Sequence, residues 1–469
     1  MLIFFRHEAY THPDILLDPN ASLMAIDERF AVFAICDKDI NVYSHTVGPF
    51  FYINQFNHCA YLVRIPLEFF IRLASHVGDP PLKTKFVLLS NTGRCGSTLL
   101  TQLFEQMPNT VAISEPEVLM EFSQNKTFDD IPNAKRNALL QSCIRLLFKS
   151  ASQSKNEKDP SEIDSFLIKP KAHGIFIAQD LNYLYPNIKN LYMYRHPVEY
   201  VKSVRSVYKS LLHPIVRHIM VYAAFDFDLN EFILRQFGQN FVVQNNLYIN
   251  KLVKALETLD VERNLEERFS ALFCGNMLSM ISMSSSNRIN NVHVVSYHEL
   301  KDNTQADMNR ILKHCEMELD NNEVQNEEDC FVTRLPENDS QNNSGLSRSN
   351  LKSYQTALKD AEISIVDKVL LLCGFPSCDK FPLDSNNFTE VLHLSKQTIN
   401  NKVQCNGHEN QLLISSYDSP EACLKDITSV ETSKTMPTAE YKNSPEYEKR
   451  QNIPLVTNKS IWLPVNRFF

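Results

Sequence analysis

One stretch of the chain, residues 86–101, combines residue types that can bind a phosphate group. Phe86–Leu89 is an apolar run that predicts a buried strand; small and polar residues follow, and then apolar residues recur at helical spacing. A strand, a glycine-containing loop and a helix N-terminus together bind anions, because free backbone N–H groups and the helix dipole converge there. Arg94 adds a positive charge, and Ser97 and Thr98 add hydroxyl donors. The sequence therefore predicts a phosphate site.

The order of residues in this loop differs from that of a Walker loop. A Walker loop has two glycines separated by four residues and followed by Lys, whereas here the cation, Arg94, lies two positions before Gly96. This order resembles the 5′-phosphosulfate loop of the sulfotransferases, which use 3′-phosphoadenosine 5′-phosphosulfate (PAPS). Arg at this position is typical of carbohydrate and tyrosylprotein sulfotransferases, while Cys95 replaces the commoner Ser. A turn that only caps a helix is the alternative. The resemblance implies contacts to PAPS from Arg94, Cys95, Gly96, Ser97 and Thr98.

A second cluster supports the same resemblance. Arg195 follows an apolar run, Pro197 then marks a helix start, and Ser203 lies eight positions after Arg195. Sulfotransferases have an Arg at a strand end and a Ser eight positions later in their 3′-phosphate site, so the resemblance implies this role for Arg195 and Ser203. A guanidinium offers a planar set of donors that suits a phosphate. The alternative is a surface Arg and an ordinary helical Ser.

Two charged residues at the ends of predicted strands are candidates for catalysis. Glu115 lies 21 positions after Arg94 and precedes a proline, which favours an extended backbone at Glu115. Tyrosylprotein sulfotransferases place their catalytic Glu similarly, so the resemblance implies that Glu115 takes the proton of an attacking hydroxyl. Lys169 resembles the strand-end Lys that neutralises the transferring group in the same relatives. Glu117 and Lys171 remain alternatives for these roles.

The segment around Tyr297 resembles the Tyr-Glu-Asp-Leu segment of the family, in which Tyr contacts the adenine side of PAPS. His298 and Glu299 depart from that pattern. The basic loop that closes on the 3′-phosphate in the family has no clear match here. Arg348 and Lys352 are the candidates for it.

These features predict a PAPS-dependent sulfotransferase. Glu115 would act as the base, Arg94 and Lys169 would stabilise the developing negative charge, and no metal is needed. The acceptor remains open among a carbohydrate, a peptide tyrosine and a small alcohol. A pseudoenzyme that binds PAPS or its bisphosphate product is the first alternative. The second is a P-loop kinase, against which the missing Walker Lys and the lack of a clear magnesium-binding motif argue.

Alternating strands and helices must position these residues. Apolar runs at residues 111–114, 166–169, 190–194 and 291–297 predict strands, and helical patterns separate most of them. This alternation predicts an α/β fold with a doubly wound, mainly parallel sheet and a P-loop-like strand–loop–helix. Ligands bind such sheets at the carboxyl ends of the strands.

The chain divides into three predicted regions. Residues 1–84 form an N-terminal lobe without evident chemistry, with strands predicted at Phe30–Cys36 and Phe50–Ile53 and a helix at 67–76. Residues 85–380 form the sulfotransferase domain, with a flexible polar insertion at 321–349. Residues 381–469 are rich in Ser, Thr, Asn and Lys and predict a largely disordered tail.

Composition limits the partners and the compartment. The 469 residues are 43% hydrophobic and carry a net charge of −8, which argues against a nucleic-acid surface. No apolar run reaches the ~20 residues of a membrane span, and the start is too brief for a signal peptide. We therefore expect a cytoplasmic protein, or a Golgi-lumen protein if the native start lies upstream of Met1.

The cysteines carry two further expectations. The chain has eleven, an odd number without zinc-binding spacing, which predicts reduced thiols. Cys95 lies beside Arg94 at a predicted helix N-terminus. Both features favour a thiolate, so we expect Cys95 to be reactive until a nucleotide covers it.

Overall fold

The computed structural model describes residues 6–124, 132–154, 160–211, 291–317, 358–391 and 453–457, together with single helical positions between 267 and 281. The described strands form two five-stranded sheets, one antiparallel and one parallel. The strands, in chain order, are β1 Arg6–Thr11, β2 Ala21–Ile26, β3 Phe30–Cys36, β4 Cys59–Pro66, β5 Lys85–Asn91, β6 Thr110–Ser114, β7 Ser165–Lys169, β8 Lys189–Tyr194, β9 Val292–Ser296 and β10 Ile453–Thr457.

The described helices lie between and around these strands. In chain order they are α1 Phe51–His58, α2 Leu67–Val77, α3 Ser97–Gln106, α4 Met120–Gln124, α5 Asn133–Ser154, α6 Ala178–Leu184, α7 Pro197–Leu211, α8 Tyr297–Asp302, α9 Thr304–His314 and α10 Asp360–Leu372.

The parallel sheet has the strand order β6-β7-β5-β8-β9, and every neighbouring pair in it is parallel. Its central strand β5 is buried from Phe86 to Asn91, as expected for a strand covered by helices on both faces. Ser114 is level with Lys169, and Asn91 is level with Met193. The carboxyl ends of β5 to β8 therefore meet at one edge, which confirms the predicted α/β fold with a parallel sheet flanked by helices.

The antiparallel sheet belongs to the N-terminal lobe and has the order β1-β10-β4-β3-β2. The predicted strand at 30–36 and the helix at 67–76 are present as β3 and α2. The predicted strand Phe50–Ile53 is wrong, because Phe51 begins helix α1. Buried Asn54 donates to the carbonyl groups of Val42 and Gly48 at 3.0 and 3.1 Å, and these bonds hold the preceding loop against the helix.

Parts of the predicted tail are ordered. Residues 385–391 are helical, and Phe381 and Phe388 are buried in the core beside Tyr194. Ile453–Thr457 forms β10 between β1 and β4. The predicted insertion at 321–349 and most of a helical region predicted at 232–283 lie outside the described residues.

Cys36 and Cys59 form a disulfide between β3 and β4. The expectation that every cysteine is reduced is therefore wrong for this pair, which lies 23 positions apart in the chain. The bonded residues face each other across the two strands. The disulfide therefore closes a covalent loop of the chain, residues 36–59, which contains α1.

The linker between the lobe and the parallel sheet is fixed by one carboxylate. Asp79 accepts hydrogen bonds from Arg145, Gln141 and the Tyr185 hydroxyl, at 2.6 to 3.2 Å. Burial raises the pKa of Asp79, but the hydrogen bonds and charge of Arg145 outweigh this effect and leave the pKa below its ordinary value. The linker is thus tied to both α5 and α6.

Candidate active site

The loop after β5 has an unusual backbone. Gly93, Arg94 and Gly96 all have positive φ values, of 78°, 51° and 85°. A Cβ atom at Gly96 would lie 2.7 Å from the Tyr297 ring, so this position requires glycine. Buried Asn91 supports the bend, because its side chain accepts from the Gly93 N–H at 2.9 Å and donates to the Pro170 carbonyl at 3.2 Å. Sequence reasoning did not single out Asn91.

Helix α3 begins directly after this bend. Gly96 precedes its first residue and has no side chain that could cap the helix, so no capping side chain competes with a ligand for the N-terminus of α3. Ser97 is buried and Thr98 is partly exposed on the first turn. The strand, loop and helix N-terminus predicted from the sequence are therefore all present.

The two predicted phosphate clusters lie together. The Arg94 Nε donates to the Ser203 hydroxyl at 3.2 Å, and the Arg195 Nη1 donates to the Arg94 carbonyl at 3.2 Å. The Arg195 guanidinium also lies 4.3 Å from the Tyr297 ring centroid and bonds Glu199 at 2.9 Å. Direct contacts thus join all four predicted residues, Arg94, Arg195, Ser203 and Tyr297, into one cluster.

This cluster contains two guanidinium groups, of which that of Arg195 is paired with Glu199. Burial lowers the pKa of Arg94; the charge of Glu115 opposes this, and the neighbouring Arg195 charge lowers the pKa further, so that it lies below the ordinary arginine value. Glu199, which pairs with Arg195, also lies 3.4 Å from the His298 ring. Two guanidinium groups beside an uncapped helix N-terminus favour an anion.

Glu115 and Lys169 form an ion pair at the ends of β6 and β7, in which Lys169 is buried and Glu115 is partly buried. The Lys169 side chain is 2% exposed, and the Glu115 backbone N–H donates to the Lys169 carbonyl at 2.6 Å. The backbone of Glu115 has φ 58°, so the extended conformation expected before proline is wrong. Glu117 and Lys171, the alternative candidates for the two catalytic roles, form an ion pair with each other. The Lys171 ammonium lies 2.5 Å from the Glu117 carboxylate.

Two aromatic residues of the N-terminal lobe complete this part of the site. The Lys169 ammonium lies 5.3 Å from the Phe50 ring centroid, and the Lys171 ammonium lies 4.2 Å from that of Tyr52. Burial, followed by the charges of Glu115 and Glu117, raises the pKa of Tyr52. Sequence reasoning missed both residues, because it took them for a strand in a lobe without chemistry.

Cys95 does not behave as expected. Its side chain is 0% exposed and packs in the apolar core beneath the loop. Burial raises the pKa of the Cys95 thiol, against the lowering effect of Thr92 and other neighbours. The predicted reactive thiolate is therefore wrong, and only the Cys95 backbone remains for ligand contact. Arg348 and Lys352 lie outside the described residues.

Neither a metal site nor a membrane span is found within the described ranges. No group of three or more His, Cys, Asp or Glu residues there is placed to hold a metal ion. None of the helices named above has the length and hydrophobicity that crossing a bilayer requires. The charged groups of the candidate site are instead arginine, lysine and glutamate.

A parallel α/β sheet with a glycine-containing loop and converging arginines at its carboxyl edge is a typical anion-binding architecture. The model of the sulfotransferase domain family matches residues 84–370, and the chain belongs to this family. Among solved structures, the chain is similar to the sulfotransferase STF9 from Mycobacterium avium, with 12% sequence identity, 68% of this chain and 82% of that chain covered, and a TM-score of 0.34. No curated protein matches significantly.

Proposed function

We propose that the protein transfers a sulfuryl group from PAPS to a hydroxyl acceptor. One observation carries this proposal: the Arg94–Ser203–Arg195 cluster and the Glu115–Lys169 pair lie at the same edge of the parallel sheet. The arginine–serine cluster is suited to a nucleotide that carries two anionic groups. The Glu115–Lys169 pair is suited to a proton transfer beside that nucleotide. Family membership supports sulfuryl transfer as the reaction.

The residues present fit PAPS at both of its charged ends. The loop and the N-terminus of α3 would hold the 5′-phosphosulfate, with Arg94 and Gly96 nearest to it. Arg195 and Ser203 would hold the 3′-phosphate, and Tyr297 would contact the adenine side. The two guanidinium groups supply the charge that such a ligand requires. When bound, PAPS supplies the sulfuryl group that is transferred.

Glu115 is the proposed base. In the reaction, the acceptor oxygen forms a bond to sulfur, and the bond between sulfur and the phosphate oxygen breaks. Adenosine 3′,5′-bisphosphate leaves with the bonding electrons. Glu115 takes the acceptor's hydroxyl proton, while Lys169 and Arg94 stabilise negative charge on the sulfuryl and leaving oxygens. Because Lys169 neutralises Glu115 in the structure, the ion pair must loosen for both residues to act.

That same ion pair favours a second candidate. A Glu115 whose carboxylate is paired with Lys169 is also what a pseudoenzyme would have, in which the nucleotide binds and no group is transferred. The two candidates share the nucleotide site and differ in turnover. One set of measurements therefore tests both.

The first measurement is calorimetry with adenosine 3′,5′-bisphosphate. Arg195→Ala should weaken this binding by ~1.5–3 kcal/mol, as for a lost charge-assisted hydrogen bond. Binding of adenosine 5′-phosphosulfate, which lacks the 3′-phosphate, should fall far less. Arg64→Ala in the N-terminal lobe is the matched control and should leave both affinities unchanged. Equal losses for the two nucleotides in Arg195→Ala would contradict the assignment of the 3′-phosphate site.

The second measurement is transfer from labelled PAPS to pools of carbohydrates, tyrosine peptides and small alcohols. Labelled product in any pool supports the transferase. If the wild-type protein binds the bisphosphate and labels none of the pools, the pseudoenzyme is favoured.

A further inference from the structure

Residues 378–391, here called the docked segment, pack against strands that carry two of the proposed nucleotide contacts. Two of its rings, those of Phe381 and Phe388, are buried. The Phe388 ring stacks on Tyr194 of β8 with 3.6 Å between centroids, and the Phe381 ring lies edge-on to that of His196 at 5.9 Å. Apolar packing thus fixes the docked segment to the parallel sheet.

Hydrogen bonds to the docked segment flank Arg195 on both sides. The hydroxyl of Tyr194, the residue before it, donates to the Asp384 carbonyl at 2.9 Å. The ring of His196, the residue after it, donates from Nε2 to the Cys378 carbonyl at 2.9 Å. Because both neighbouring side chains are held, the backbone that carries the Arg195 side chain is held as well.

A similar arrangement supports Tyr297. The hydroxyl of buried Ser296, the residue before it, donates to the Leu383 carbonyl. Glu299, in the first turn of α8, accepts from the Ser385 N–H at 2.9 Å. Among the described strands, β9 lies at the edge of the parallel sheet and ends at Ser296. The docked segment therefore supports the end of an edge strand.

Arg195 and Tyr297 depend on this support because they lie together. The Arg195 guanidinium lies 4.3 Å from the centroid of the Tyr297 ring. A charge-assisted bond to a phosphate depends on distance and direction, so a small displacement of either strand end weakens it. The loop after β5 is supported separately, by the bonds of Asn91 to Gly93 and Pro170. A weakened docked segment should therefore affect the 3′-phosphate end of the nucleotide more than the 5′ end.

We infer that the docked segment positions Arg195 and Tyr297 for the 3′-phosphate end of PAPS, and that Tyr194 and Ser296 are the positioning residues through which it acts. The inference rests on the proposed function, in which Arg195 binds the 3′-phosphate. It assigns a role in nucleotide recognition to residues that follow position 370, where the match to the family model ends.

The test removes single hydroxyl groups that bond to the docked segment. Tyr194→Phe keeps the ring and its stack on Phe388 but loses the hydroxyl, and Ser296→Ala loses the bond to the Leu383 carbonyl. Calorimetry on the full chain measures binding of adenosine 3′,5′-bisphosphate and of adenosine 5′-phosphosulfate, which lacks the 3′-phosphate. Each variant should weaken the bisphosphate about three- to tenfold, as for one lost hydrogen bond, and the phosphosulfate less than about twofold.

The Arg195→Ala variant provides the background that separates positioning from stability. If the docked segment acts through Arg195, Tyr194→Phe should cost no further bisphosphate affinity once that side chain is gone. The double variant should therefore bind the bisphosphate as Arg195→Ala does. A contribution to stability alone would not make the effect of Tyr194→Phe depend on the presence of Arg195.

Tyr185→Phe and Ser142→Ala are the matched controls. Each removes a hydroxyl that donates a hydrogen bond elsewhere: Tyr185 to Asp79 at 3.0 Å, and Ser142 to the Ala138 carbonyl at 2.7 Å. Both controls should leave the two nucleotide affinities unchanged.

Hydrogen exchange in the wild type gives a second test that needs no variant. Because coupling between two sites is reciprocal, saturation with the bisphosphate should slow amide exchange in the peptide that covers residues 378–391. The phosphosulfate should slow it less. This measurement tests the inference even if a variant folds poorly.

The outcomes separate this inference from the proposed function. If the wild type binds no bisphosphate, or if Arg195→Ala weakens both nucleotides equally, the proposed nucleotide site is wrong and the inference fails with it. If Arg195→Ala is selective for the bisphosphate, the inference alone is overturned by any of three results. These are wild-type bisphosphate affinity in both Tyr194→Phe and Ser296→Ala, equal losses of both nucleotides in these variants, or unchanged exchange of residues 378–391 on bisphosphate binding.

Discussion

At the scale of single residues, the backbone of Glu115 is the notable feature. Its φ of 58° lies in the left-handed region, which costs a residue with a Cβ roughly 1–2 kcal/mol. The hydrogen bond from its N–H to the Lys169 carbonyl and the ion pair between the two side chains offset this cost. Strain of this kind is typical of functional positions. The turn at Glu115 brings its carboxylate into contact with the ammonium group of Lys169 on the neighbouring strand β7.

Glu115→Gln tests the proposed base directly. The amide keeps the size of the side chain and can still accept from Lys169, but it cannot take a proton at neutral pH. With an acceptor that the wild type uses, the single-turnover transfer rate should fall about 10²–10⁴-fold. Bisphosphate affinity should change little, because the proposed base touches the acceptor and not the phosphates.

Glu117→Gln is the matched control, because Glu117 forms the neighbouring ion pair with Lys171. It should leave the transfer rate within a few-fold of the wild type. A normal transfer rate in Glu115→Gln and a slow one in Glu117→Gln would indicate that Glu117, and not Glu115, is the base. Loss of both nucleotide binding and transfer in Glu115→Gln would mean that the residue only shapes the loop.

At the scale of elements, the parallel sheet could be predicted because its strands carry their own signals. β5 contains the apolar run Phe86–Leu89, β8 contains the run Leu191–Tyr194, and Pro197 marks the start of α7. The loop after β5 could also be predicted, since its residue types and spacing lie within one short stretch. These features depend on neighbours in the chain.

The features that could not be predicted depend on residues far apart in the chain. The run Phe50–Ile53 has the aromatic and β-branched residues of a strand, yet packing of Phe51 on Tyr43 and the bonds of Asn54 favour a helix. The Cys36–Cys59 disulfide requires the pairing of β3 with β4. The burial of Cys95 requires the core beneath the loop. The local sequence pattern around each of these segments contains no information about such distant contacts.

His293 of β9 should make the free energy of unfolding dependent on pH. Its ring stacks on His314 of α9 with 5.1 Å between centroids. Burial, then the charges of His314 and Arg310, lower the pKa of His293 from 6.5 to about 4, although Glu299 opposes the shift. The unfolded chain therefore binds a proton at a higher pH than the folded protein does. The free energy of unfolding should fall as the pH drops below 6.5, and this contribution should level off below about 4.

Urea denaturation between pH 7.5 and pH 4 measures this effect. His293→Gln should reduce the pH dependence in that range, whereas His76→Gln, at an exposed position of α2, should leave it as in the wild type. Identical pH profiles for the wild type and His293→Gln would contradict the assignment of the effect to this residue.

At the scale of the whole molecule, the N-terminal lobe and the parallel sheet share one apolar core. Phe33 and Phe70 of the lobe belong to the same buried cluster as Phe86 of β5 and Leu147 of α5. Helix α5 packs against both α2 and β2. In addition, β10 joins the lobe sheet from a position more than 380 residues after β4. The boundary proposed at residue 84 therefore does not mark a break in packing.

A chain lacking residues 1–84 should consequently fail to fold. Returning one large apolar side chain of α5 to water costs ~1.5–3 kcal/mol, and whole domains are stable by only about 5–15 kcal/mol, so exposure of a few such residues exceeds the total. Circular dichroism of residues 85–469 should show no cooperative thermal transition, and calorimetry should detect no bisphosphate binding. The control lacks only residues 1–11, which removes the edge strand β1 and keeps Phe33, Phe70 and the other described residues of the shared core, and it should unfold cooperatively. A shortened chain of residues 85–469 that unfolds cooperatively and binds bisphosphate as the full chain does would show that the nucleotide site is independent of the lobe.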